Sequence, residues 1–218
     1  MSRLGLVIFD CDGVLVDSEA ISCGMLAQML GEEGLSMNST QARAVFQGMR
    51  LDGVISEAQR RLGRSLPAGW VQSFEQRRSA AFAEQLQPVA GAAEAVAAVI
   101  DAGVAVCVAS QGKIEKTTLS LQLTGLAHLF APEALFSAHT VPHGKPAPDL
   151  FLHAAATMGA SPDRCAVVED TTIGVAAAVR AGMGVLGLAV DCDEDALRRA
   201  GAEVISSMQE LPARLALR

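Results

Sequence analysis

The chain has 218 residues, half of them hydrophobic and 19% charged, with a formal net charge of -7. That is enough apolar material for one large domain or two modest ones, and too little charge for a disordered chain. An acidic surface repels nucleic acid and anionic membrane alike, so neither is an expected partner.

No apolar run reaches the roughly 18 residues that a membrane-spanning helix needs, and the N-terminus lacks the basic start and cleavage pattern of a secretory leader. A cytoplasmic location is expected. The five cysteines, Cys11, Cys23, Cys107, Cys165 and Cys192, are scattered without CxxC spacing. That pattern predicts buried thiols rather than a disulfide framework or a zinc site.

The first element in the chain is "LGLVIF", a Val/Leu/Ile-rich run that predicts a buried strand and stops at Asp10. From Asp17 to Gln87 no strand-like run follows. Helix formers punctuated by glycines predict several short helices, a second lobe inserted after the first strand, with hinges near Asp17 to Ala20 and in "LQPVAG". Beyond it the strand-like runs "VAVCVAS", "ALFSA", "CAVVED" and "GVLGLAV" alternate with helical segments, "AAEAVAAVIDAG", "KIEKTTLSLQLTG", "PAPDLFLHAAATMG", "TTIGVAAAVRAG" and "EDALRRAG". Each helical segment closes on glycine, which suits a helix C-terminus. Strands and helices alternating at this length imply right-handed crossovers and a parallel sheet covered on both faces.

Ligand sites of such sheets lie at the carboxyl ends of the strands. Asp10 with Asp12, Ser110, and Glu169 with Asp170 all fall where an apolar run stops. If Asp10 and Asp12 both continue the strand, they point to one face, and their mutual repulsion calls for a cation between them. A hard divalent ion such as Mg²⁺ suits such oxygens, although an isolated DxDG is equally a turn after a strand. Glu169 and Asp170 could join the same ion, with the threonines of "TTIG" as helix caps. Lys145, stiffened by Pro146 and Pro148, gives an ammonium a defined approach to an anion. The Ser110 hydroxyl, near a helix N-terminus, suits a phosphate oxygen or serves as a cap. Together these groups fit phosphoryl transfer, where positioning and charge neutralisation dominate. His128, His139, His143 and His153 lack ligand spacing and are expected at the surface or at caps. Trp70 is expected to pack within the helical lobe.

The motifs "FDCDGVLVDSE", "VASQG", "GKPAPDLF" and "VVEDTTIGVAAAVRAG", in that order, resemble the haloacid dehalogenase-like phosphohydrolases across nearly the whole chain. The resemblance is to the sugar-phosphate branch, which includes β-phosphoglucomutase and small sugar-phosphate phosphatases, and among these to the phosphogluconate type. It implies an α/β fold: a doubly wound, Rossmann-like parallel sheet core of residues 1–16 and 88–218, and an inserted helical cap domain of residues 17–87.

It also implies roles. Asp10 would be the nucleophile that forms an aspartyl phosphate. Asp12 would be the acid and base, with its backbone carbonyl on Mg²⁺. Asp170 would complete the protein ligands, with Glu169 as ligand or water holder. Ser110 and Lys145 would hold the phosphoryl group, and Gly48 and Arg50 of "FQGMRL", with Gln111, would contact substrate. A solvated helix charge is the alternative for Arg50.

The expected substrate is a small phosphorylated metabolite, a sugar or sugar-acid phosphate. A β-phosphoglucomutase-like phosphomutase is the alternative. The mutase pattern has a histidine near Ser22, an arginine at Leu51 and threonines in place of "VDSE", which favours transfer to water. Asp12 argues against a dehalogenase. A monomer is expected, or a weak homo-oligomer through an apolar patch on the cap.

Overall fold

The computed structural model describes residues 4–190 and 193–216. Strand β1 (Leu6–Phe9) is buried along its whole length. Alternate side chains of a strand point to opposite faces. Leu6 and Ile8 accordingly enter one apolar cluster, and Val7 and Phe9 enter another.

Five further strands join β1 in one sheet: β2 (Ala105–Ser110), β3 (Leu135–Ser137), β4 (Cys165–Glu169), β5 (Gly184–Leu188) and β6 (Glu203–Ile205). All pairings are parallel, in the order β3-β2-β1-β4-β5-β6. Strand β6 goes beyond the sequence reading. Its three residues are too short to display a period, and only Ile205 is deeply buried.

The chain leaves β1 toward β2 on one side and returns to β4 on the other, so the strand order reverses beside β1. Phe9 pairs with Val108 of β2 and with Val168 of β4. Asp10 is therefore level with Ala109 and Glu169, and Ser110 lies one residue further out. The three strand ends meet in the crevice where sheets of this kind bind ligands.

Helices α1 (Glu19–Glu32), α2 (Ser39–Phe46), α3 (Leu51–Leu62) and α4 (Trp70–Gln85) are inserted after β1. Asn38 and Gln41 start α2 with reciprocal side-chain to backbone hydrogen bonds at 2.8 and 2.9 Å, satisfying two donors that the helix leaves open. The lobe has its own apolar cluster, with Leu26, Leu30, Phe46, Trp70 and Phe74. Trp70 packs there as expected, stacked on Phe74 at 5.7 Å. Phe82, one turn from the end of α4, instead packs with the sheet's cluster and ties the lobe to the core.

The two chain crossings run side by side. Val16 and Pro88 form an antiparallel bridge, the Asp17 N–H donates to the Gln87 carbonyl at 2.9 Å, and the Val89 N–H donates to Leu15 at 3.0 Å.

Helices α5 (Ala92–Asp101) and α6 (Ile114–Leu123) cover the Val7 and Phe9 face, with α10 (Leu211–Arg214) beside α5. Helices α7 (Asp149–Thr157), α8 (Thr172–Arg180) and α9 (Glu194–Ala200) cover the Leu6 and Ile8 face. Cys11, Cys23, Cys107 and Cys165 are free and buried, and Cys192 lies outside the described residues. Among the described residues no helix is long and apolar enough to cross a membrane.

Because Ile8 is fully buried at the centre of the sheet, Ile8→Ala is expected to lower unfolding free energy by about 2–5 kcal/mol. Leu123→Ala, at a half-exposed position, should stay within about 1 kcal/mol. Urea unfolding of the two variants checks this, and equal losses would contradict the assigned packing.

Candidate active site

At the carboxyl edge of β1 and β4, Lys145 is buried between two carboxylates. Its Nζ donates to Asp10 Oδ1 at 2.6 Å, to Glu169 Oε1 at 2.6 Å and to the Ala109 carbonyl at 3.0 Å, and it stands 4.9 Å from the centre of the Phe151 ring. Burial alone would pull the lysine pKa down, but Asp10 and Glu169 outweigh it and hold the ammonium above its ordinary range.

Gln111 fixes the backbone of that lysine. Its side-chain amide accepts from the Lys145 N–H at 3.1 Å and donates to the Lys145 carbonyl at 3.2 Å. The same Nε2 donates to the Gly48 carbonyl of the helical lobe at 3.1 Å.

Glu169 is saturated. Beside the bond from Lys145, its Oε2 accepts from the backbone N–H groups of Asp170 and Thr171 at 3.0 Å each and from the Thr171 hydroxyl at 2.9 Å. Thr171 also caps α8, its Oγ1 accepting from the Gly174 N–H at 3.1 Å. Gly174 leaves room for this arrangement, since a Cβ there would collide with the Glu169 carboxylate.

Asp170 is less well provided. Its Oδ2 accepts from Gln47 Nε2 of the lobe at 3.2 Å, while Oδ1 is buried with no hydrogen-bond partner. Burial and then the charges of Glu169 and Asp10 raise its pKa well above the carboxylate range. Burial likewise lifts Asp10 to about 7, against the opposing pull of Lys145. Gly13, at a φ of 78°, lets the chain turn against Asp170, where a Cβ would strike the carboxylate.

One oxygen from each of Asp10, Glu169 and Asp170 lies within 4.8 Å of the others. Three buried carboxylates share one lysine, and one oxygen is orphaned. Hard oxygen donors with excess negative charge suit a hard divalent cation. Asp10 and Asp170 have the freer oxygens for it.

Asp12 departs from the expected arrangement. The chain leaves strand geometry after Phe9, so the Asp10 and Asp12 carboxylates do not share one cation on one face. Asp12 instead pairs with Lys116 of α6 and accepts from the Ser18 hydroxyl. Burial pushes its pKa up, but Lys116 and Ser18 prevail and hold it below the ordinary value.

A cavity of about 130 Å³ opens between this cluster and the helical lobe, lined on the core side by Asp10, Asp12, Gln111, Lys145, Glu169 and Asp170. Gly48 lines it from the lobe. Ser110 does not. It is fully buried, and its Oγ accepts from the Gly112 N–H at 3.0 Å. Arg50 also stays outside the lining, its Nη1 donating to the Ala138 carbonyl at 3.3 Å and its Nε 3.2 Å from Asp52.

Of the histidines, His128 meets the Gly125 carbonyl, His143 meets Asp149, and His153 sits edge-on to Phe136. His139 is exposed, as expected, and also lines the cavity. Residues that the sequence did not single out include Lys116, Gln47 and Arg78. Each sits on a helix or at its end, where a polar residue carries no sign of which neighbour it will meet.

The model of the haloacid dehalogenase-like hydrolase family matches residues 4–182. The chain belongs to that family. It is 29% identical over 213 residues to the 6-phosphogluconate phosphatase of Escherichia coli, covering 97% of this chain and 95% of that protein. Identity to hexitol phosphatase B of Escherichia coli is 29% over 212 residues, 95% of this chain and 94% of the relative. The crystal structure of a haloacid dehalogenase family hydrolase from Deinococcus radiodurans, with bound phosphate and sodium, superposes with a TM-score of 0.80 at 35% identity, over 99% of this chain and 96% of that one.

Gly174→Ala is expected to displace the Glu169 carboxylate and destabilise the chain by about 1–3 kcal/mol through overpacking. Chemical denaturation checks this. An unchanged midpoint would mean that Glu169 is not held against α8.

Proposed function

We propose that the chain is a Mg²⁺-dependent phosphatase of a small phosphorylated metabolite, a sugar or sugar-acid phosphate, acting through an aspartyl phosphate on Asp10. The observation that carries this reading is the buried group of Asp10, Glu169 and Asp170 around Lys145, one Asp170 oxygen unpartnered, at the floor of a cavity. Its phosphatase relatives by name support the substrate class.

In the first half-reaction an Asp10 carboxylate oxygen attacks phosphorus. The bond from phosphorus to the ester oxygen breaks, and a proton that Asp12 takes up from solvent as substrate binds passes to the departing oxygen to give the alcohol. In the second, a water gives its proton to the Asp12 carboxylate, attacks phosphorus and releases phosphate, restoring Asp10. Lys116 and Ser18 hold Asp12 ionised at rest, which suits the water-activating half.

Lys145 keeps its charge beside Asp10 and offsets the phosphoryl charge as it arrives. Ser110, buried at the end of β2 behind the cavity wall, accepts from the Gly112 N–H and so holds the loop that faces the phosphoryl group. Mg²⁺ would be held by Asp10, the Asp12 backbone carbonyl and Asp170, with Glu169 keeping Lys145 and the adjacent loop in place. When bound, the ion neutralises the excess carboxylate charge and polarises the phosphoryl group.

Residues 17–87 act as a cap that closes on the core of residues 1–16 and 88–218 about the paired crossings at Val16 and Pro88. The hydrogen bonds from Gln47 to Asp170, from Gln111 to Gly48 and from Arg50 to Ala138 are contacts of the closed arrangement. Closure excludes bulk water and completes the site around a bound substrate. Ser22 and Leu51 line the cavity at the positions where the mutase pattern carries histidine and arginine. Water is the favoured acceptor for that reason.

Asp10→Asn should reduce turnover of a panel of sugar and sugar-acid phosphates by at least about 10³-fold while circular dichroism stays unchanged. Wild-type-level phosphate release from that variant would refute the covalent route. Removing divalent ions with a chelator should silence the wild-type chain, and added Mg²⁺ should restore it. Conversion of one sugar-phosphate isomer to another, dependent on a bisphosphate primer and without net phosphate release, would identify a mutase instead.

A further inference from the structure

The basic side chains that line the cavity can be accounted for one by one. Lys145 is paired with Asp10 and Glu169, Lys116 with Asp12, and Lys113 of the core with Glu75 of α4 at 2.7 Å. His139 is pulled below its ordinary pKa by burial and by the charge of Arg50, which leaves it neutral near pH 7. Arg78 is different. It lines the cavity from α4; among the described residues no carboxylate bonds its guanidinium, Asp12 and Glu75 acting on it only from a distance, and its Nε is buried without a hydrogen-bond partner.

Two rings hold the Arg78 guanidinium in place. Its Cζ stands 5.0 Å from the centre of Phe74 and 5.9 Å from that of Phe82. Stacking of this kind fixes the plane of the fork and leaves its edge free for hydrogen bonds. The site is also close enough to Asp12 for the arginine charge to help keep that carboxylate ionised. A guanidinium N–H closed off from water without a hydrogen-bond partner is costly, and an arginine fork pairs best with a planar carboxylate or a phosphate.

We propose that Arg78 reads a second anionic group of the substrate, carried on the leaving-group part beyond the ester oxygen, and so selects doubly anionic metabolites over neutral sugar phosphates. This rests on the phosphatase reading above, which puts the ester oxygen beside Asp12. The shared chemistry is an anion with two oxygens to offer. A carboxylate of a sugar acid and a second phosphate both qualify. Arg78 is a specificity-determining residue here, and the attacking and proton-transferring groups are elsewhere.

The test is equilibrium binding, measured by calorimetry with Mg²⁺ present, to the full chain carrying Asp10→Asn, so that the readout does not require turnover. Three probes are compared: 6-phosphogluconate, glucose 1,6-bisphosphate and sorbitol 6-phosphate. Adding Arg78→Met, which keeps an apolar stem against Phe74 and Phe82, should weaken at least one anionic probe by about 30-fold and the neutral probe by less than about 3-fold. The anionic probe that loses more names the group. Arg78→Lys, which keeps the charge without the fork, should recover part of the loss, and it carries the test if the methionine variant does not fold.

Equal weakening of all three probes, no weakening of any, or no binding of either anionic probe overturns the proposal. Phosphate release by the native chain on the same probes is scored separately. Selective binding without release would therefore count against the hydrolytic reading and leave the role of Arg78 standing.

Discussion

The contact on which the site depends is the bond from buried Lys145 to Asp10 and Glu169. Taking a charge out of water costs several kcal/mol, and a single lysine offsets only part of what Asp10, Glu169 and Asp170 carry together. The surrounding structure supplies compensation unevenly. Glu169 receives four hydrogen bonds, while Asp170 keeps an oxygen with none. That imbalance is a stability cost for the chain alone and a binding energy for a cation. On the proposed reading it ties folding energetics to metal dependence in one set of atoms.

Sheet topology explains how residues so distant in sequence meet. Reversal of strand order beside β1 sets the ends of β2, β1 and β4 next to one another. Gln111 then joins three parts at once, clasping the Lys145 backbone on both its N–H and its carbonyl and holding Gly48 of the helical lobe. A change at one of these points is felt at the others, because the same side-chain amide serves all of them. Gln47 makes the complementary link, from the lobe to Asp170. The lobe thus touches the acidic cluster directly.

Much of this was legible in the sequence, for identifiable reasons. The core strands are Val- and Leu-rich runs ending at polar residues, and the helices that cover them close on glycine, so element type and the carboxyl edge could be read. Asp10, Glu169 and Asp170 stand at or beside those ends, and Lys145 joins them from the loop that precedes α7. Strand β6 was missed because three residues carry no period. The condition that Asp12 continue the strand is not met: the strand ends at Phe9, and the backbone then presents the Asp12 carboxylate to Lys116, a partner that no motif marks. Arg50 is singled out by its place in "FQGMRL", whereas Arg78 carries no motif around it. Whether Arg78 faces the cavity depends on how α4 seats against the rest of the chain, which the packing of Phe74 and Phe82 sets, while Arg50 lies in extended backbone just before α3.

The central claim is that the carboxylates around Lys145 await a divalent cation, with Asp170 the group that most lacks a partner. Thermal unfolding of the full chain with and without Mg²⁺, compared with Asp170→Asn, tests it most directly, since a ligand that binds only the folded state raises the midpoint. The account predicts a clear, Mg²⁺-dependent rise for the wild-type chain and its loss in Asp170→Asn. An unchanged midpoint in the wild type, or an equal rise in both proteins, would contradict it.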